Sequence, residues 1–160
     1  MTQVELEITD LAFDGKAVAL LDGKVVFLES GLPGEKVRAE ITDSKPRYNR
    51  ARLLEVITPS PDRVSAKCGH FESCGGCTWQ DLLYHKQLEY KKKQVTDCLE
   101  RIGGLKNVSI RDTIGSAEQF FYRNKMEFSF HTTEDGGFTL GLHRRGAFDD
   151  IFDLDRCYLL

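Results

Sequence analysis

Lys16-Ala-Val-Ala-Leu-Leu21 and Lys24-Val-Val-Phe-Leu28 flank the pair Asp22-Gly23. Two short runs separated by two residues that accept positive φ read as a tight hairpin. Upstream, Val4-Glu-Leu6-Glu-Ile8 alternates with a period of two, which suits a half-buried strand. Downstream, Pro33-Gly34 punctuates the chain. Val37, Ala39 and Ile41 then alternate with Lys36, Arg38 and Glu40, and Arg50 to Ile57 makes a last strand. Five short strands in this span predict a small closed barrel of OB-like size.

The loop Ser44-Lys-Pro-Arg47-Tyr48-Asn-Arg50 puts arginines and one tyrosine together on that barrel. A guanidinium holds phosphate and a phenol ring stacks on a base, so the loop is equipped for RNA, the plain alternative being a solvated turn. Charge is uneven: residues 1–30 carry Glu5, Glu7, Asp10, Asp14, Asp22 and Glu29 against two lysines, whereas residues 31–60 carry Lys36, Arg38, Lys45, Arg47, Arg50 and Arg52 against four acids. A polyanion would meet local patches rather than a uniformly basic surface. The strand pattern with Gly15, Pro33-Gly34-Glu35 and the basic final hairpin resembles a TRAM domain, an RNA-binding β-barrel.

Thr58-Pro-Ser-Pro61 interrupts any strand and marks a boundary between residues 1–58 and 59–160. Beyond it lies Cys68-Gly-His-Phe-Glu-Ser-Cys74-Gly-Gly-Cys77. Three thiols in so short a stretch form a claw, and the glycines let backbone N–H groups approach sulfur. The candidate fourth ligand is Cys157. Structural zinc usually takes two close pairs, so three crowded thiols with one remote suit an iron–sulfur cluster better; zinc and disulfides are the alternatives.

Ser60-Pro-Asp-Arg63, Cys68-Gly-His-Phe71, Cys74-Gly-Gly-Cys77-Thr-Trp-Gln80, Tyr84, Gln87-Leu88, Arg101-Ile-Gly-Gly-Leu105 and Tyr122-Arg-Asn-Lys125 together resemble the TRAM-bearing RNA (uracil-C5)-methyltransferases. The resemblance implies a 4Fe-4S cluster held by Cys68, Cys74, Cys77 and Cys157, and an RNA partner, ribosomal or transfer. It further implies S-adenosylmethionine bound by a domain absent from these residues, because no Gly-rich strand-to-helix turn of that kind occurs in them. The chain looks like the front part of a longer enzyme, with no catalytic residue of its own and no methyl transfer when alone.

Thr78-x-x-Asp81 reads as a capping box and Gly103-Gly104 as a stop, which predicts a helix from about Trp79 to Ile102, its start beside the claw. Tyr84, Leu88, Val95, Cys98, Leu99 and Ile102 share a stripe, and Cys98 reads as core. Lys86, Lys91, Lys92 and Lys93 could track phosphate, although such runs are usually solvated faces. His70, His85, His131 and His143 form no ligand pair at metal-binding spacing.

From Phe120 the chain alternates, with Tyr122, Asn124, Met126, Phe128 and Phe130 predicted on a buried face. Thr132 to Gly137 turns it, Phe138, Leu140 and Leu142 continue that face, and Arg144-Arg145-Gly146 makes a corner before a strand from Phe148 to Leu154. Arg123 and Lys125 join Arg47, Tyr48 and Arg50 as candidate RNA contacts, the alternative being an ion pair with Glu127. The predicted class is α+β: an OB-like five-stranded barrel, then an iron–sulfur domain with one long helix and an antiparallel sheet. No run is apolar enough for a bilayer and no signal peptide is apparent, so a cytoplasmic monomer is expected. A second functional class, an iron–sulfur electron carrier or redox sensor with an RNA-binding barrel, would require an easily cycled cluster.

Overall fold

In a computed structural model, residues 2–133, 136–147 and 149–160 are described. They fall into two compact units: Met1–Arg63 with Leu82–Ile114, and Val64–Asp81 with Gly115–Leu160.

The first unit holds the barrel, with β1 (Gln3–Leu11), β2 (Ala17–Leu21), β3 (Lys24–Leu28), β4 (Lys36–Ser44) and β5 (Tyr48–Thr58) closed in the order β1-β2-β3-β5-β4. The hairpin forms as the sequence predicts, with Asp22 at φ 49° and Gly23 at φ 78° and Leu21 paired to Lys24. Every ladder is antiparallel except β3 with β5, which run parallel from Val25↔Tyr48 to Leu28↔Ala51. Closure leaves this sheet without an unpaired edge. Leu6, Ile8, Val26, Leu28, Leu32 and Val37 fill the interior, and the small side chains of Ala17, Ala19, Ala39 and Ala51 let the walls close round them. Each large aliphatic residue buried in this way contributes about 1.5–3 kcal/mol.

Glu35 is fully buried among these apolar groups. Its carboxylate accepts from Leu32 N–H at 2.9 Å, Ser60 N–H at 3.4 Å, and Arg63 Nε and Nη2 at 2.6 and 3.0 Å. Burial pushes the carboxyl up, but the Arg63 guanidinium and the two amides outweigh it and hold Glu35 below the ordinary carboxylate range. Ser60 is itself buried, so the proline-punctuated stretch after β5 is bonded to the barrel rather than loose.

The helix α1 runs Tyr84–Asp97, with a wider π turn over Cys98–Ile102. It starts later than the sequence predicts. Leu83 occupies the N-cap with no side-chain cap bond, so Thr78 and Asp81 do not form the expected box and no helix N-terminus begins next to Cys77. The stop at Gly103-Gly104 holds, Gly104 taking φ 66°. The apolar stripe is not a core: α1 has no buried residue, Val95 and Ile102 are exposed, and Cys98 is half-buried. Polar contacts hold the helix in place of that stripe. Gln94 Nε2 donates to the Ala12 carbonyl at 2.8 Å, and Lys93 Nζ reaches Asp10 and Asp97 at 2.7 Å each.

In the second unit, β6 (Ser129–Thr132), β7 (Phe138–His143) and β8 (Ile151–Asp153) form an antiparallel sheet in that order. The strand expected from Phe120 is confined to these last residues before the turn. Phe121 adopts φ 56°, which breaks an extended run, and Phe121 and Arg123 N–H groups donate to the Tyr158 and Leu159 carbonyls at 2.8 Å each. The face predicted as buried is exposed: Tyr122 is 58%, Phe130 76% and Phe138 81% accessible. Periodicity places side chains on one face, but covering that face needs a partner layer. The turn predicted over 132–137 includes positions 134 and 135, and the strand predicted from Phe148 begins at 148; these positions lie outside the described residues.

The claw is a loop closed at its base. Arg63 bridges Leu82, Leu83 N–H donates to the Asp62 carbonyl at 3.0 Å, and Val64 N–H donates to the Asp81 carbonyl at 2.8 Å.

Candidate functional site

Within the claw the chain folds on itself through short turns. Phe71 N–H donates to the Cys68 carbonyl at 3.1 Å, and Ser73 and Cys74 N–H groups donate to the His70 carbonyl at 3.1 and 2.7 Å. His70 has a packing role, its ring lying 5.2 Å from that of Phe152. These turns bring Cys68, Cys74 and Cys77 to the wall of one cavity of about 470 Å3, and Cys157 lines the same cavity. The four predicted ligands are thus brought together from opposite ends of the unit's sequence.

Donors approach three of the sulfurs. Gly76 N–H lies 3.3 Å from Cys74 Sγ, Leu159 N–H lies 3.4 Å from Cys157 Sγ, and Gln80 Nε2 lies 3.1 Å from Cys77 Sγ. Gln80 also accepts from Cys68 N–H at 3.2 Å, so one side chain joins two of the thiol-bearing residues. A Cβ on Gly76 would stand 3.4 Å from Cys74 Sγ, in van der Waals contact with the sulfur. Burial pushes the Cys77 thiol above its ordinary range, the Gln80 bond pulls the other way, and Cys74, Cys157 and Cys68 push it up further. Thiolates crowded like this ionise together only beside a compensating positive charge.

Among the described residues no three His, Cys, Asp or Glu side chains converge as they would on a bare ion. Thiolates on tetrahedral zinc, bound at ~2.3 Å, stand ~3.8 Å apart, whereas thiolates on a cluster stand further apart because each holds a different iron. Four thiols on one cavity wall, three of them approached by N–H groups, are the donor type that an iron–sulfur cluster takes; Glu127 and His143 line the same cavity.

One signal not read in the sequence completes the site. Lys67, next to Cys68, places Nζ 4.7, 5.1 and 5.2 Å from the rings of Phe120, Phe121 and Tyr158, fastening the start of the claw to the segment that bears Cys157. The clustering of these aromatics around Lys67 has no counterpart in local spacing. Arg123 and Lys125 lie on the cavity wall with Arg144 and Arg156, and Lys125 also pairs with Glu127 at 2.8 Å, both side chains well solvated.

On the barrel, Arg47 is exposed in the turn between β4 and β5, Tyr48 is half-buried and Arg50 is exposed. The Arg50 guanidinium lies 5.9 Å from the Tyr48 ring centroid, and the Tyr48 ring meets Phe27 edge-on at 5.7 Å. Phe27 is a member of this platform that the loop reading missed; strand alternation gives its face on β3, whereas its place opposite Arg50 comes from the parallel pairing of β3 with β5. Lys36, Arg38, Lys45 and Arg52 each pair with an acid, whereas Arg47 and Arg50 have no acid at ion-pair distance among the described residues. On α1, Lys86, Lys92 and Lys93 are also paired, to Glu89, Asp112, and Asp10 with Asp97.

Residues 2–54 match the TRAM domain, so the barrel is a TRAM domain. A protein of Halalkalibacterium halodurans named as an uncharacterized RNA methyltransferase is 43% identical over 98% of the chain and 34% of its own length. One of Chlorobaculum tepidum, named likewise, is 40% identical over 98% of the chain and 36% of its own length. The crystal structure of Pyrococcus abyssi tRNA (uracil-54, C5)-methyltransferase with S-adenosyl-L-homocysteine superposes with a TM-score of 0.60 at 27% identity, covering 96% of the chain and 32% of that protein. The chain is a TRAM-domain relative of RNA methyltransferases along nearly its whole length, and it spans about a third of the curated relatives it matches. Among the described residues no helix is long and apolar enough to cross a membrane.

Proposed function

We propose that these residues are the RNA-recognition and 4Fe-4S-binding portion of an S-adenosylmethionine-dependent RNA (uracil-C5)-methyltransferase acting on ribosomal or transfer RNA. The observation that carries the reading is the convergence of Cys68, Cys74, Cys77 and Cys157 on one cavity in a TRAM-bearing relative of RNA methyltransferases.

Cys68, Cys74, Cys77 and Cys157 would hold the cluster. When bound it supplies a rigid joint among four points of the chain. Gln80, Gly76 and Leu159 orient the sulfurs through their N–H groups. Arg47 and Arg50 supply phosphate contacts, and Tyr48, backed by Phe27, offers a ring face to an unpaired base. Arg123 and Lys125 extend the phosphate-binding set in the second unit. Methyl transfer itself needs a cofactor site and a nucleophile for C6 of uracil, which would come from outside these residues, so this chain binds RNA without turnover.

The test is anaerobic purification followed by metal analysis and visible spectroscopy. About four irons per chain with broad visible absorbance are expected, falling sharply in Cys157→Ser and unchanged in Cys98→Ser. One tightly bound zinc without visible absorbance overturns the cluster reading.

A further inference from the structure

We propose that Arg145 is a positioning residue for the cysteine centre, a permanently charged clasp that holds the claw's turns in ligating order and biases the charge state of whatever they bind. The part concerning electron transfer rests on the cluster reading above; the clasp does not.

Arg145 follows β7 in the turn over residues 144–147 and is half-buried. Its Nη2 donates to the Cys77 carbonyl at 2.6 Å and to the Phe71 carbonyl at 3.2 Å. Its own backbone N–H donates to the Ser73 carbonyl at 2.8 Å, and its guanidinium lies 5.4 Å from the Phe71 ring centroid. One residue therefore grips the arc between Cys68 and Cys74 at two carbonyls, a ring face, and Cys77 itself. The β7 end adds a further tie, Gly75 N–H donating to the His143 carbonyl at 3.3 Å.

Arginine suits this position because its planar fork serves several acceptors at once and stays charged at every working pH. Lysine would reach one carbonyl with a point charge. The neighbouring Arg144 is spent elsewhere, on Asp150 at 3.0 Å and over Phe152 at 5.4 Å. Arg145 has no acid at ion-pair distance among the described residues, so its charge is not cancelled locally. A cation held on the Cys77 carbonyl at 2.6 Å stabilises added negative charge on the nearby sulfur side, which would raise the reduction potential of a cluster held by these thiols.

The experiment compares wild type, Arg145→Gln, Arg145→Lys and Arg52→Gln. It measures iron retention against a chelator, reduction potential, and the rate of thiol alkylation after metal removal, with circular dichroism confirming that each variant folds. Arg145→Gln is expected to release metal roughly 10–100-fold faster, as for other partners that orient metal ligands. The potential of the metal that it keeps should be more negative than in wild type, and Cys74 and Cys77 should alkylate faster. Arg145→Lys should restore most of the potential but not the retention, and Arg52→Gln, at an exposed barrel arginine paired with Glu40, should behave as wild type. If wild type holds zinc, the cluster reading fails, yet faster zinc release and alkylation in Arg145→Gln still support the clasp. Equal release and equal alkylation in wild type and Arg145→Gln overturn it, whichever metal is bound.

Discussion

Arg63→Met tests the strongest buried interaction in the barrel unit. The substitution keeps much of the aliphatic volume but removes both guanidinium bonds to Glu35, leaving a fully buried carboxylate with only the Leu32 and Ser60 amides. Breaking one side of a buried pair costs about 3–5 kcal/mol. Arg63 is 31% exposed, so water screens part of the attraction, and the lower end, about 3 kcal/mol, is expected. For a unit of this size that corresponds to a fall in melting temperature on the order of 12–24 °C. The pH dependence makes the test specific. In wild type the Glu35 carboxyl is held below its unfolded value, so the pair's contribution is complete above the unfolded pKa and disappears as pH falls through the folded one. Without Arg63, burial dominates and raises the folded value, so the variant loses stability as pH rises. Thermal melts followed by circular dichroism should show a deficit largest at neutral pH and narrowing towards pH ~3. A neutral-pH deficit below ~1 kcal/mol, or one constant across the range, would refute the account.

Arg50→Ala should lower the slope of log affinity against log salt for RNA by about one unit, because one phosphate contact no longer releases its counterion. Tyr48→Ala should cost about 1–3 kcal/mol on unpaired RNA and little on duplex, and equal losses on both would remove the stacking role. Gly141→Ala should detach β8 from β7, because the added Cβ would run into the Phe152 carbonyl. Hydrogen exchange of the amides in 141–143 and 151–153 should accelerate by an amount matching about 1–3 kcal/mol while the barrel amides keep their protection; unchanged exchange throughout would count against that contact.

The barrel was legible because its information is local. Asp22-Gly23 and the alternation of Leu6, Ile8, Val37 and Ala39 specify turn, strand and buried face without reference to distant residues. The claw was legible for the same reason, its thiols lying close in sequence. Cys157 could be singled out as the candidate fourth thiol, but Lys67 and Arg145 could not be placed round the claw by spacing, since their partners come from separate segments. The failure at Phe120–Phe128 has a different cause. Alternation is a necessary pattern for a strand, and at Phe121 a positive φ together with pairing to Tyr158 takes precedence over it. Over α1 and the π turn after it, six apolar positions suggested packing where Lys93 and Gln94 make the contacts instead.

The base of the claw bears on the order in which the centre assembles. Pairing of Arg63 with Leu82 and of Val64 with Asp81 closes the loop that carries Cys68, Cys74 and Cys77 before any ligand arrives. Closing a loop of roughly 18 residues costs on the order of 3 kcal/mol of chain entropy, and here the backbone ladder offsets it. On the cluster reading proposed above, the three thiols would meet an incoming iron species at high local concentration, as a tridentate hook. Cys157 lies far along the chain from the hook and would join it last, once the segment beside Phe121 and Arg123 has docked and Lys67 has closed over Tyr158. Disassembly of such a centre would run backwards, with Cys157 the first sulfur that a competing chelator lifts away and the hook left behind.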